Sequence, residues 1–552
     1  MATSPHDVKE IQEIDHHEIT EDHKDPLDIA KAPVLKSSFD ELTPWETAKT
    51  FKKAVFVCFM LCVAAAADGY QINLNGNIIA NPGFVQQVGY LDPATGKYAL
   101  NPQHTALWGA LQSLGQLIGM VLLNPISDKI GRKMTLYVLW VILLGSILIE
   151  TFTKNFQHWA GAKLLAGVGI GSLQATLPIY IAEWSPVNIR GTLCGTTVMY
   201  AVVNNVGSFL APLVLTVVKG KDVNEWKIPV LTQWAFLGIM LPIFWWLPET
   251  ASYYAARDQH DRGIAVLRRV NGGVPGYDPE AEYEVVKNII LEERERQAAA
   301  GVDYQNWRQI LRSYGECFQG CNWKRTIAAS LPASIQQLTG LAFLSVYSSL
   351  FFRELGFTDA FEITSIIFGV KIGAVLVVCL TTDKLGRRIP IISFGVVCLL
   401  MLLIIGILGH VEKNQATKIV LILAVCVWSC TSVGLGALGW ALPGEVPNQK
   451  LRARTSGLGS AIAVCFGLTF NTATPIMLQT NGANLGYDTA WIFLGFGTLV
   501  TILAVFLLPE TAQRNPAELD EMYENGVPAW RMKKYVTEVQ KAQAARRGQT
   551  IQ

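Results

Sequence analysis

Three motifs recur in one order at nearly one offset, and this repeat limits the chain's possible folds more than any other feature. Asp128-Lys129-Ile130-Gly131-Arg132-Lys133 returns as Asp383-Lys384-Leu385-Gly386-Arg387-Arg388, 255 positions on. Glu183 and Arg190, seven apart, return as Glu445 and Arg452 at a shift of 262. Leu247-Pro248-Glu249-Thr250 returns as Leu508-Pro509-Glu510-Thr511 at a shift of 261. Chance does not preserve order and offset together, so the chain is two copies of one unit around an insert. The insert is the one long charged run between residues 51 and 508.

Composition says what the unit is made of. With 51% hydrophobic and 16% charged residues in 552, and a mean hydropathy of +0.30, the chain is too apolar for a set of soluble domains, and a membrane is the expected solvent. A net charge of +1, spread between apolar blocks, argues against nucleic acid as a partner. Eight of the ten cysteines fall in apolar segments and read as small hydrophobes, while Cys317 and Cys321 in the insert make only a weak metal signal. No metal or organic cofactor is expected, with protons the one candidate coupling ion.

Twelve blocks of spanning length follow one another: 54–80, 105–126, 134–153, 159–182, 192–218, 228–247, 326–352, 361–382, 389–410, 416–442, 453–478 and 489–508. The expected fold is therefore an all-α membrane protein, twelve transmembrane helices in two pseudo-symmetric halves. Residues 1–50 read as a disordered tail, 51–247 as the first half, 248–325 as an insert with short helices, 326–510 as the second half and 511–552 as a second tail. Cations collect in the loops after even-numbered blocks: Lys129, Arg132, Lys133, Arg190, Lys384, Arg387, Arg388, Lys450, Arg452 and Arg454. By the positive-inside rule these loops, the insert and both tails are cytosolic.

The doubled Asp-x-x-Gly-Arg-Arg/Lys loop resembles the signature of the major facilitator superfamily. Pro178-x-Tyr180-x-x-Glu183-x-x-Pro186-x-x-x-Arg190-Gly191, Pro248-Glu249-Thr250, Gln336-Gln337-Leu338-Thr339-Gly340 and Trp440-x-x-x-x-Glu445 narrow this to a resemblance to the sugar porters, particularly fungal-type ones, over residues 51–511. That resemblance implies an alternating-access transporter of the plasma membrane, a small sugar as substrate, a lipid bilayer as surroundings, a monomer and no covalent chemistry. It implies a midplane site in which Gln336 and Gln337 hydrogen-bond hydroxyls and Trp440 stacks on a sugar face, with Gln71, Tyr347, Asn204, Asn205 and Asn471 as further polar candidates. The charged motifs are expected to latch the cytosolic ends: Arg132, Lys133 and Arg190 with Asp128, Glu183 and Glu249, and Arg387, Arg388 and Arg452 with Asp383, Glu445 and Glu510.

The chain departs from the pattern at the acid that proton symporters of the family carry after Gly-Tyr; here Gly69-Tyr70 precedes Gln71. Two ionisable residues stand elsewhere at depth. Asp68 is fifteen residues from Lys53 and Lys371 twelve from Asp383, so each lies roughly 18–22 Å from its cytosolic helix end. A charge there costs about 2.5–3.5 kcal/mol on insertion scales, so an idle one is not expected. Intramembrane charges usually pair, which favours an Asp68–Lys371 pair and proton-linked uptake of a neutral hexose or disaccharide. The alternatives are a facilitative uniporter, a carrier of an acidic sugar met by Lys371, and a non-transporting sensor.

Overall fold

The computed structural model describes residues 44–91, 93, 96–185, 196–219, 224–299, 314–439, 442–447, 451–511, 514, 516–538 and 540–541. Within them eleven helices are long and apolar enough to cross a membrane: Lys52–Ile78, Pro102–Leu123, Arg132–Thr151, Phe156–Trp184, Tyr200–Val218, Lys227–Trp246, Ala360–Val378, Arg388–Leu408, Gln415–Gly439, Arg454–Leu478 and Gly486–Leu507. The seventh of twelve spans is broken into Asn322–Leu338, a π-helical turn Ala342–Val346, and Ser348–Glu354. Helices suit this setting because a backbone in lipid must satisfy its own polar groups. The break respects the same rule: Gly340 turns with φ +99°, and the carbonyl of Thr339 accepts from Trp428 Nε1 at 2.9 Å.

An even number of spans brings the start of the first span and the end of the twelfth to one face of the bundle, the terminal face. On that face the repeated motifs do something the sequence did not suggest. Beyond the cationic side chains expected around it, the Glu249 carboxylate accepts the backbone N–H groups of Arg132 (3.2 Å), Lys133 (3.0 Å) and Thr250 (3.0 Å). Glu510 does the same for the N–H groups of Arg387 (2.8 Å) and Arg388 (3.3 Å). Each acid thus caps the N-terminus of a span, where free N–H groups and the helix dipole favour negative charge. Lys133 Nζ and Arg388 Nη2 in turn donate to the carbonyls of Trp245 and Val505, near the C-terminal ends of the sixth and twelfth spans. Each motif therefore staples a loop to the last helix of its own half.

The glycine of each motif is what lets the acid in. Gly131 (φ +100°, ψ 157°) and Gly386 (φ +84°, ψ −170°) occupy backbone space that is essentially glycine's alone. A Cβ on Gly131 would stand 2.5 Å from Glu249 Oε2, and one on Gly386 2.7 Å from Glu510 Oε2. Gly131→Ala is expected to destabilise the protein by about 1–3 kcal/mol, from the backbone alone. Thermal unfolding of purified protein in detergent measures this, and an unchanged transition would mean the cap is dispensable.

Between the sixth and seventh spans the described residues form helices Ala251–Ala255, His260–Asn271 and Pro279–Ala299. The segment after Thr511 is more than a tail. It forms a helix, Pro516–Glu524, and buries Leu519, Met522, Tyr523 and Met532 in the larger hydrophobic core. Buried Arg325, at the start of the seventh span, pairs with Asp520 and lies 4.5 Å over the Tyr523 ring. A two-residue antiparallel ladder, Tyr90–Leu91 with Tyr98–Ala99, follows the first span.

The hydrogen bonds described between the two halves lie toward the face opposite the termini. Ser349 N donates to Asn77 Oδ1, Arg353 to the Ile79 carbonyl, Gln479 to Thr105, Asn481 to the Leu100 carbonyl, and Asn471 to Ser113 at mid-depth. Gly76 sits so near the Val346 carbonyl that a Cβ would stand 2.0 Å from it. The bundle is drawn together at that face.

Candidate functional site

Two charged centres lie inside the first half, and only one was legible in advance. Asp68 is 1% exposed. Its carboxylate accepts from Gln174 Nε2 (3.0 and 3.1 Å), Tyr200 Oη (2.7 Å) and Asn204 Nδ2 (2.9 Å), donors from the fourth and fifth spans. All three are neutral. The pairing expected with Lys371 is not formed: Asp68 faces the fourth and fifth spans, whereas the Lys371 ammonium lies 4.8 Å from the Phe368 ring near Cys430 of the tenth span. The fifth span, which carries Asn204 toward Asp68, also packs against the eighth, which carries Lys371.

The second centre is an ion pair between Glu150 and Lys163, 2.9 Å apart with both side chains wholly buried. Gln71 Nε2 donates to Glu150 Oε1 at 2.6 Å and Gln233 Nε2 to Oε2 at 2.7 Å, with Ser146 Oγ at 3.4 Å. Lys163 also lies 4.3 Å over the Trp159 ring. Gln71, expected to meet substrate, thus serves a carboxylate that arrives from the third span. Lys163 interrupts the fourth apolar block and Glu150 sits near the end of the third, a signal visible in the sequence once depth is counted from both ends of each block. Asp68, Gln71 and Gln233 also line one cavity inside the first half, walled by Leu143, Ile170 and Leu237.

The other polar candidates divide by depth. Gln336 is 8% exposed and donates to the Ser432 carbonyl of the tenth span at 2.9 Å, while Gln337 beside it is only partly buried. Tyr347 donates to the Asn471 carbonyl at 3.1 Å, and the Asn471 amide reaches Ser113 across the halves at 3.1 Å. Asn471 Oδ1 is buried without a hydrogen-bond partner among the described residues. Asn205 donates back to the Ala201 carbonyl in its own helix. Trp440 and Arg190 lie outside the described residues, as do the side chains of Asp128, Asp383, Glu445 and Arg452.

On the terminal face Arg132 Nη2 meets Glu183 Oε1 at 3.2 Å, one of the expected pairs, within the first half. Burial holds the Glu249 carboxyl above the usual carboxylate range, against the pull of the N–H groups of Thr250, Lys133 and Arg132.

With this geometry in view, residues 57–523 match the family model described as sugar (and other) transporter. The chain belongs to that family. Among similar proteins of the sugar (and other) transporter family are the MFS transporter fmqE of Aspergillus fumigatus, 27% identical over 88% of this chain and 90% of the relative, and the low-affinity glucose transporter HXT3 of Saccharomyces cerevisiae, 26% identical over 90% of this chain and 86% of the relative. Among solved structures, the inward open conformation of the xylose transporter XylE from E. coli matches with a TM-score of 0.65 at 18% identity, over 84% of this chain and 99% of that one. The likeness establishes the twelve-helix major facilitator fold, and with it a multi-pass membrane protein.

Proposed function

We propose that this member of the sugar (and other) transporter family carries a sugar of hexose or disaccharide size across the plasma membrane by alternating access, coupled to protons through Asp68. Both chain ends and the insert are then cytosolic, as the cations of the terminal-face loops favour. The observation that carries the coupling is the surroundings of Asp68: a carboxylate enclosed at membrane depth whose donors among the described residues, Gln174, Tyr200 and Asn204, are all neutral. Such an acid holds or releases a proton without breaking an ion pair, and the Tyr200 hydroxyl serves either form, as donor to the carboxylate or acceptor from the acid. Sugar recognition is supported by Gln336 and Gln337 on the broken span, where amides offer both donors and acceptors to hydroxyls. The staples at Glu249 and Glu510 keep each half rigid, as rocking of one half against the other requires.

Uptake of radiolabelled sugars into a transporter-null host, with and without a protonophore, tests the reading. Expected is accumulation of at least one sugar that collapses when the proton gradient is dissipated. Uptake indifferent to protonophore and to external pH would leave a facilitator, and absence of any sugar uptake at normal surface expression would leave the sensor reading. Within the same assay Gln336→Ala is expected to raise the apparent substrate constant by about five- to a hundredfold, the consequence of one sugar hydroxyl left without a partner. Unchanged kinetics would put the sugar elsewhere.

A further inference from the structure

Two cations lie at depth within the described spans, and their surroundings differ sharply. Lys163 is neutralised by Glu150. Lys371, 8% exposed, has no carboxylate or hydrogen-bond partner among the described residues; beside it lie the Phe368 ring and Cys430. An intramembrane ammonium left in that state is expensive unless something comes to it.

Its position says from where. On the eighth span Thr364, Ile367, Phe368, Lys371 and Val375 form the buried stripe, while Ile366, Val370, Leu376 and Val377 are exposed on the opposite face. Lys371 therefore points into the protein and away from lipid. Contacts with the fifth span fix its level: Thr216 reaches Ser365 at 3.4 Å, and Val375 packs with Ala201 and Val202. Lys371 falls between these, on the boundary between the halves. Toward the tenth span it lies near Cys430, two residues from Ser432, whose carbonyl takes the Gln336 amide. The lone ammonium and the amide pair of the broken span thus flank the same stretch of the tenth span.

We propose that Lys371 receives a carboxylate of the transported solute, so that the preferred substrate is an acidic sugar, a uronate or an aldonate. This rests on the transport reading above and deepens it. Gln336 and Gln337 meet the hydroxyls and Lys371 the acid group, a charge-assisted contact worth more than a neutral one.

Purified full-length protein in proteoliposomes, offered labelled D-galacturonate, D-gluconate, D-galactose and succinate separately from outside, tests it. D-galacturonate or D-gluconate is expected to enter with at least about tenfold higher affinity than D-galactose, and succinate, which lacks the hydroxyls of a sugar, poorly. Lys371→Gln is expected to lower affinity for the acidic sugar by about ten- to a hundredfold and leave D-galactose unaffected. Lys371→Arg is expected to keep most of the acid preference, and serves alone with the wild-type selectivity if the glutamine variant does not fold. D-Galactose preferred by the wild type overturns the proposal while leaving sugar transport in place. Equal loss of both substrates in a folded Lys371→Gln also overturns it, assigning the lysine to structure. Absence of uptake of any of the four removes the transport reading and the proposal together.

Discussion

Asp68→Asn is expected to abolish accumulation against a gradient while leaving exchange of substrate intact. Asparagine matches the carboxylate in shape, so Gln174, Tyr200 and Asn204 keep a neighbour of nearly the same size at the same distances. What it lacks is a proton to take up and release. A pH difference of one unit is worth about 1.4 kcal/mol, or about tenfold in concentration. Wild-type proteoliposomes holding such a gradient should therefore concentrate substrate about tenfold at one proton per cycle, and the variant should stop at equality. Counterflow of labelled against unlabelled substrate needs only the loaded carrier to reorient, so its rate should survive. The two assays together separate uncoupling from misfolding. Accumulation retained in Asp68→Asn would end the assignment of Asp68, and loss of both activities would point to a packing role.

Much of the architecture was legible because it is written as repetition and hydropathy. Twelve apolar blocks separated by charged loops admit few arrangements in a bilayer, and the doubled motifs fix where one half ends. What the sequence could not show is which atoms the motif acids hold. Glu249 and Glu510 stand near cationic side chains in the linear pattern, so charge pairing was the natural expectation; the positive-φ glycines at 131 and 386 also bring backbone N–H groups to them, which that pattern does not display. The interior network was hidden for a related reason. Gln71, Glu150, Lys163 and Gln233 come from four spans, and helical period says which face a residue takes but not which neighbouring helix that face meets. The same limit misdirected Asp68 toward Lys371: matching depths suggested a pair, but depth leaves the bearing around the bundle undetermined.

The Glu150–Lys163 pair is where a single substitution should cost most stability. With both side chains wholly buried, removing either partner strands a desolvated charge, and such losses run at about 3–5 kcal/mol. Lys163→Met leaves the carboxylate to Gln71, Gln233 and Ser146, all neutral; Glu150→Gln leaves the ammonium to the Trp159 ring. The double variant removes both charges, yet its glutamine carbonyl still accepts from an amide neighbour. Its loss should be no more than about 1–2 kcal/mol, the cost of the donor left unsatisfied. Unfolding of the four proteins in one detergent gives the coupling energy directly. The double variant also decides between the two acids. Glu150 is neutralised in place by a partner in its own half, so it is expected to contribute to folding and not to the coupling charge. Accumulation driven by a pH gradient should therefore persist in Glu150→Gln/Lys163→Met and vanish in Asp68→Asn. Additive destabilisation would show that the pair has no energetic coupling, and loss of accumulation in a stably folded double variant would move the proton site from the first span to the third.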